Sequence, residues 1–261
     1  EELKSTHTIR KACDFYMRTP KFCALGGKSQ YDYNRNLAFA CNTSVQGGKY
    51  LGNIKLKDIQ FSHVTVAYDI WRVKHGVRAA NYIATCLSIV FNTARRHNAL
   101  LSNPVSLLDR AKPKPRKVKW TTPQVKQFLD TAYSNWEWRS IGLIVHMAFH
   151  WAQRIGDMRL LEWKALDLDK GVLDLEQSKR GADVHLPIQG GLLPMLRQQK
   201  EDFGFLPYVA PRVRARAGVY TPYDDVEICG LVNSVKDAAG LPDELTAMDL
   251  RRTAITQMVE K

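Results

Sequence analysis

The sequence predicts a mainly α-helical protein with one small β-hairpin, divided into two parts by a basic, proline-containing segment. Apolar residues recur at helical spacing through much of the chain, whereas residues 171–188 are β-rich on both sides of a turn signal. With 45% hydrophobic and 25% charged residues, the 261-residue chain has the composition of a globular protein and the length of two ordinary domains or one large one.

Composition excludes several classes of protein. No stretch approaches the roughly 20 uninterrupted apolar residues of a membrane span, and no signal-peptide pattern opens the chain. The chain begins at Glu1 without an initiator Met, so we expect the native N-terminus to be missing. Five scattered cysteines without a CxxC pair favour a reducing cytoplasm over a disulfide framework or a zinc site. We therefore expect neither a membrane partner nor a metal.

The positive charge is concentrated in the first half. Residues 1–119 contain 21 Lys and Arg against 7 Asp and Glu, a net charge of +14, whereas the remainder has a net charge of −2. Such a surface can serve solubility alone, but an asymmetry of this size favours a surface that follows phosphates. With about 6–10 phosphate contacts, affinity would fall roughly 10³–10⁵-fold between 50 and 200 mM salt.

Helical patterns fill the first part, residues 1–110. A first helix is predicted over residues 28–45, and a second runs from the N-cap Ser62 to about residue 75, with Gly76 as its stop. A third, residues 79–98, has a one-sided apolar stripe with a period of 3.6 residues. We therefore expect a small all-helical bundle.

Residues 111–119 form the clearest boundary. Two prolines deny helical hydrogen bonds and five basic side chains repel one another, so the segment should be extended and exposed. It is either a solvated spacer or a strand that runs along a nucleic-acid backbone. The candidate backbone contacts are Lys112, Lys114, Arg116, Lys117 and Lys119 here and Arg78, Arg95 and Arg96 before it.

The second part, residues 120–261, is α+β. Thr122 is a predicted N-cap with Pro123 at the first helical position. The turn signal Lys179-Arg180-Gly181 joins two β-rich runs into a hairpin. The predicted helices cover residues 123–133, 137–152, 191–203, 225–238 and 249–260.

Three segments of this part have to be read together. The first is Arg154-Ile155-Gly156-Asp157, followed by a leucine-rich turn; the second is the hairpin lysine, Lys179; the third is Asp249-Leu250-Arg251-Arg252-Thr253. In this order they resemble the catalytic domain of tyrosine recombinases, the phage-type integrases. The first part looks like the helical core-binding domain of that family, so the resemblance covers about residues 28–261. Each motif is weak by itself, and their order carries the signal.

The resemblance implies a role for each residue. Arg154 and Arg251 would hold the non-bridging oxygens of a phosphodiester, where negative charge builds up in the transition state. Lys179 would give a proton to the departing 5′ oxygen, and Asp157 would brace Arg154. Because two guanidiniums can hold that charge, no metal or other cofactor is implied.

Each assignment has an alternative. Arg154 can be a surface arginine at a helix end, and Lys179 can be a backbone contact like its neighbour Arg180. Arg251 and Arg252 are adjacent, and one helix cannot aim both into one site. The motif register favours Arg251, which leaves Arg252 for phosphate or structure.

The sequence departs from the family pattern at two points. Met248 stands where the family has a histidine, and a thioether neither donates a strong hydrogen bond nor acts as an acid; the position is either tolerated as apolar packing or marks weakened chemistry. The family's tyrosine nucleophile follows the second arginine, but the ten residues after Arg251 contain no Tyr. We therefore expect a C-terminally truncated chain that is inactive as it stands.

The resemblance implies a site-specific recombinase that cuts and rejoins double-stranded DNA through a 3′-phosphotyrosine intermediate. The complete protein would act as a homotetramer on DNA, without a small-molecule substrate, near the nucleoid of a bacterial or phage-infected cell. One alternative is a non-catalytic DNA-binding relative that keeps the DNA clamp. A type IB topoisomerase, which shares the active-site logic, fits the small helical first part less well.

Overall fold

The computed structural model describes residues 2–176 and 183–259, and it confirms a mainly α-helical fold with a small antiparallel sheet. The chain forms two compact units, Glu1–Pro115 and Arg116–Lys261. We call them the N-terminal and C-terminal units. The division falls inside the basic segment, residues 111–119.

Among the described residues of the N-terminal unit, the regular elements are helices. Helices α1 and α3 pack against the long helix α4, and Trp71, Leu87 and Phe91 of α4 are buried between them. The buried indole of Trp71 donates a 2.7 Å hydrogen bond to the Thr43 hydroxyl, so its polar atom is satisfied. The helices are α1 (Ile9–Met17), α2 (Pro20–Cys23), α3 (Gly27–Cys41) and α4 (Phe61–Arg96).

Helix α4 covers both predicted helices on either side of residue 76. Gly76 has φ 77° and ψ 167°, which no helix accommodates, so the predicted stop divides α4 into two segments. The predicted N-cap Ser62 is wrong. Gln60 caps the helix instead, and its backbone N–H donates to Nδ1 of His63 in a reciprocal capping pair.

The C-terminal unit has the predicted helical order, with bounds shifted by a few residues. Thr121, one residue before the predicted cap, caps α5. Most of α6 is buried, and α5, α8 and α10 pack around it. A Cβ added to Gly142 of α6 would lie 2.8 Å from Cβ of Ala132, so a close approach of α5 and α6 requires glycine there. The helices are α5 (Thr122–Tyr133), α6 (Arg139–His150), α7 (Ile155–Arg159), α8 (Leu192–Phe203), α9 (Asp225–Ala238) and α10 (Ala247–Val259).

The predicted hairpin is confirmed as β2 (Val172–Glu176) and β3 (Asp183–Pro187), which pair antiparallel. A two-residue strand, β1 (Leu166–Asp167), adds to β2 and completes a three-stranded sheet. Leu173 on β2 is fully buried, so one face of the sheet joins the core of the unit. The tip, residues 177–182, lies outside the described residues.

Candidate active site

The turn after α6 places Arg154. Helix α6 ends at His150, and Ala152 then adopts the left-handed conformation, with φ 52°. The backbone N–H of Gln153 reaches back to the Ala148 carbonyl at 3.0 Å, which closes the helix end. Arg154 follows with extended backbone at the N-cap of α7. The strained residue Ala152 therefore sets the direction in which the chain presents Arg154.

Asp157 faces Arg154 from the first turn of α7. Its Oδ2 lies 3.5 Å from Nη1 of Arg154, and the carboxylate is buried, with 3% of the side chain exposed. The side chain of Arg154 is 29% exposed. A buried carboxylate thus braces an arginine whose side chain remains partly accessible to solvent.

Arg251 lies on α10, the helix that packs against α6. Its neighbours Leu250, Thr253 and Ala254 are buried in the unit, whereas Arg251 is partly exposed at the edge. Helix α10 thus packs on the helix that Arg154 follows by four residues. Lys179 and Arg180, which the sequence places in the hairpin turn, lie outside the described residues.

The carboxylate of Asp249 organises the start of α10, and the sequence reasoning gave it no role. It is buried, with 1% of its side chain exposed, yet it receives donors from several directions. Nε of Arg116 lies 3.0 Å from both carboxylate oxygens, and Nη2 of Arg252 lies 2.9 Å from Oδ1. The Thr246 hydroxyl donates at 2.7 Å. Burial by itself raises the pKa of Asp249, but these donors outweigh it and hold the pKa below its ordinary value.

Two residues predicted to contact DNA have their guanidiniums engaged within the protein. Arg116 donates to Asp249 and to the Glu244 carbonyl, and Arg252 donates to Asp249 and to the Arg116 carbonyl. The buried carboxylate thus fixes both guanidiniums, while Arg116 keeps 36% and Arg252 keeps 41% of the side chain exposed. A contact of either residue with DNA stays a prediction.

The second half of the basic segment is fastened to α10 rather than free. The Trp120 backbone N–H donates to the Thr253 hydroxyl at 3.0 Å, and its indole donates to the Thr246 carbonyl at 3.0 Å. Together with the Arg116 pair, these bonds tie residues 116–120, which we call the strap, across the start of α10. Within this half Lys117 and Lys119 are exposed as predicted, whereas the Arg116 side chain is held against α10.

The other predicted contacts are exposed. Among them, Nη2 of Arg78 donates to the Lys114 carbonyl at 3.4 Å, and Nη2 of Arg96 donates to Thr93 at 2.9 Å. Of the predicted contacts, those exposed in the N-terminal unit are Arg78, Arg95, Arg96, Lys112 and Lys114, and those exposed in the strap are Lys117 and Lys119.

Met248 lies in the first turn of α10 with 86% of the residue exposed. Packing among the described residues therefore does not account for this position, which leaves weakened chemistry as the other alternative. An exposed thioether supplies neither packing nor a strong donor.

Among residues 2–176 and 183–259, no group of three or more His, Cys, Asp and Glu side chains is arranged to hold a metal ion. In the same residues, no helix combines the length and the apolarity that crossing a membrane requires.

Comparison with known proteins supports the resemblance. The model of the phage integrase family matches residues 120–261. The integrase of Enterobacteria phage 434 is 26% identical over 137 residues, which is 52% of this chain and 37% of that protein. The integrase of Escherichia phage lambda is also 26% identical, with the same coverage. The matched region thus spans little more than a third of each relative's own length.

Solved structures of similar fold cover both units. A fragment of lambda integrase, a dimer bound to a COC′ core site, has a TM-score of 0.79 at 20% identity and covers 97% of this chain and 90% of that one. The Tn1549 transposon integrase in complex with circular intermediate DNA has a TM-score of 0.77 at 15% identity, covering 97% of this chain and 87% of that one. At these identities the likeness establishes the fold.

Proposed function

The chain belongs to the phage integrase family, and on that premise we propose that it is part of a site-specific DNA recombinase. Residues 1–110 act as its helical core-binding domain, residues 111–119 join the domains, and residues 120–261 supply most of its catalytic domain. Arg154, Arg251 and Lys179 act on the scissile phosphate of double-stranded DNA, and a tyrosine outside these residues attacks it to give a 3′-phosphotyrosine intermediate.

The pairing of two arginine-bearing elements carries the proposal. Arg154 leaves the end of α6 with Asp157 behind it, and Arg251 stands on α10, which packs on α6. Two permanently charged, bidentate donors on adjoining rigid elements suit the negative charge that develops on the non-bridging oxygens during phosphoryl transfer. Removal of one such donor costs roughly 10²–10³-fold in rate in other enzymes.

The exposed cations support a duplex-DNA partner. Among the predicted contacts, five exposed cations belong to the N-terminal unit and two to the strap, and each is available to a phosphate without breaking a buried ion pair. A similar solved structure is described as a lambda integrase tetramer bound to a Holliday junction. We propose the same assembly, a homotetramer on DNA, for the complete protein.

The test uses the protein expressed from the complete gene, because the residues after Arg251 contain no Tyr. On a nicked duplex that carries the recognition site, cleavage releases a short fragment that diffuses away. The covalent intermediate then accumulates because the fragment is no longer there to be rejoined. We expect a covalent protein–DNA adduct that survives denaturation, and binding that weakens steeply with salt. If DNA binding is intact and salt-sensitive but no adduct forms, the recombinase proposal fails.

That failure would favour a second function, a DNA-binding relative that retains the clamp without turnover. The specific observation in its favour is Met248, which is exposed where the family has a histidine. Replacement Met248→His separates the two. If the variant forms adduct and the parent does not, chemistry was lost at this position; if the parent already forms adduct, the histidine is dispensable here.

A further inference from the structure

The end of α6 is bonded to the base of the β2–β3 hairpin by two consecutive side chains. The indole N–H of Trp151 donates to the Pro187 carbonyl at 3.0 Å, and the backbone N–H of Gln189 donates to Nε2 of His150 at 3.2 Å. Pro187 is the last residue of β3, and Gln189 lies two residues beyond it. Both bonds therefore hold the point where the hairpin joins the rest of the unit.

These two bonds connect elements that the backbone by itself leaves separate. The hairpin closes its own base through the Ile188 N–H and the Gly171 carbonyl, at 2.7 Å, but that bond joins β2 to β3 and not to a helix. His150 ends α6, and Arg154 follows it by four residues. Residues 150–154 thus both position Arg154 and form hydrogen bonds to the base of the hairpin.

We propose that His150 and Trp151 are positioning residues that fix the β2–β3 hairpin relative to Arg154. The proposal rests on the proposed function, in which the residues between the strands contribute the general acid Lys179. Neither side chain touches the reacting atoms in this account. They determine how often the hairpin and the arginine are in register for proton transfer, and misplacement by about 1 Å costs on the order of 10²-fold in rate.

The chemistry of both groups fits this task. Trp151 is buried, with 3% of the residue exposed, so its indole bond competes little with water. Nε2 of His150 can accept from Gln189 while it carries no proton. Burial lowers the pKa of His150, against an opposing effect of the Pro187 carbonyl. The His146 ring approaches it along α6, and α10 contributes Ala254, Gln257 and Met258, which carry no charge.

The proton balance provides a selective test. In cleavage the tyrosine hydroxyl loses its proton to solvent as its oxygen bonds to phosphorus, the bond from phosphorus to the 5′ oxygen breaks, and the departing oxygen takes a proton from Lys179. When sulfur replaces that bridging oxygen, a thiolate departs without needing a proton. A defect in positioning the acid should vanish on the sulfur substrate, whereas general damage to the site should persist.

The experiment measures adduct formation by the complete protein on oxygen- and sulfur-bridged nicked duplexes. We expect Trp151→Phe and His150→Phe to lower the rate at least about tenfold on the oxygen substrate and less than about threefold on the sulfur substrate. His150→Gln, whose carbonyl can still accept, should recover part of the rate. Trp163→Phe is the matched control, because its buried indole nitrogen has no hydrogen-bond partner among the described residues.

Equal losses on both substrates, or no loss on either, would overturn the positioning role. If the parent protein forms no adduct on either substrate, the proposed function fails instead. Amide hydrogen exchange on the 261-residue chain tests the anchoring without turnover. Trp151→Phe should speed exchange in β2 and β3 but not in α9, and unchanged exchange in the strands would overturn the anchoring whatever the activity.

Discussion

The two elements that present the candidate arginines are built in opposite ways. The end of α6 is shaped by backbone, through left-handed Ala152 and the N-cap position of Arg154, with Asp157 three residues on. The start of α10 is shaped by side chains that converge on the buried carboxylate of Asp249. The first arrangement is local in sequence, whereas the second joins residues 133 positions apart. The end of α6 should therefore tolerate the substitution of a single side chain better than the start of α10 does.

The largest expected effect is at Asp249. Replacement Asp249→Ala removes the acceptor that Arg116, Arg252 and Thr246 share. We expect the C-terminal unit to lose about 3 kcal/mol of unfolding free energy, measured by urea denaturation, because several hydrogen bonds to the buried carboxylate are lost together while the partly exposed Arg116 and Arg252 guanidiniums regain water. Asp243→Ala, a nearby exposed position, is the control. Equal effects of the two substitutions would contradict the network.

Lowering the pH should destabilise α6, through His146, before it affects the start of α10, through Asp249. Burial, aided by His150, lowers the pKa of His146 to about 4. The unfolded chain then binds this proton more readily than the folded one, so stability present above about pH 6.5 is lost as pH falls towards 4, by roughly 3 kcal/mol. The pKa of Asp249 is also lowered, but its contribution is lost below the ordinary carboxyl range. The free energy of unfolding, measured between pH 7 and 4.5, should depend less steeply on pH in His146→Gln than in the parent protein. An unchanged slope would contradict the assignment of this pH dependence to His146.

A smaller effect distinguishes two neighbours in the strap. Lys117→Ala should leave stability unchanged, weaken DNA binding several-fold and lower the salt dependence by about one counterion. Arg116→Ala should instead destabilise the C-terminal unit, because its guanidinium binds Asp249. Thermal unfolding and binding titrations at several salt concentrations measure both. The reverse pattern would identify Arg116 as the DNA contact instead.

The smallest effect is at the turn after α6. Ala152 has φ 52°, where glycine is favoured, so Ala152→Gly should stabilise the unit by up to about 1 kcal/mol. Ala238→Gly, at an exposed right-handed position that ends α9, should destabilise it slightly. Chemical denaturation of both variants checks the contrast, which fails if both shift in the same direction.

The same contrast explains what the sequence made visible. The pairing of Arg154 with Asp157 follows from helical spacing, and the periodic stripes and the turn at Lys179-Arg180-Gly181 gave the helices and the hairpin. The role of Asp249 was missed because its main partner, Arg116, lies in a run of charges that is typical of a solvated spacer. No local pattern distinguishes Arg116, which pairs with a buried carboxylate, from the solvated basic residues beside it.

Among the elements that escaped prediction, two are short and did so for similar reasons. Strand β1 has two residues, too few for an alternating pattern, and it exists through its pairing with β2. Helix α2 has four residues, although Thr19-Pro20 was the available signal of an N-cap followed by proline. Tertiary contacts rather than local preference determine both.

The central claim is that Arg154 and Arg251 bind the scissile phosphate, whereas the neighbouring Arg252 stabilises the fold. The most direct measurement is the rate of adduct formation, alongside duplex affinity, for Arg154→Ala, Arg251→Ala and Arg252→Ala in the complete protein. We predict rate losses of roughly 10²–10³-fold with affinity within about threefold for the first two. We predict lost stability, with a smaller rate loss, for Arg252→Ala. Contradiction would come from unchanged rates in the first two variants, or from rate losses that merely match lost binding.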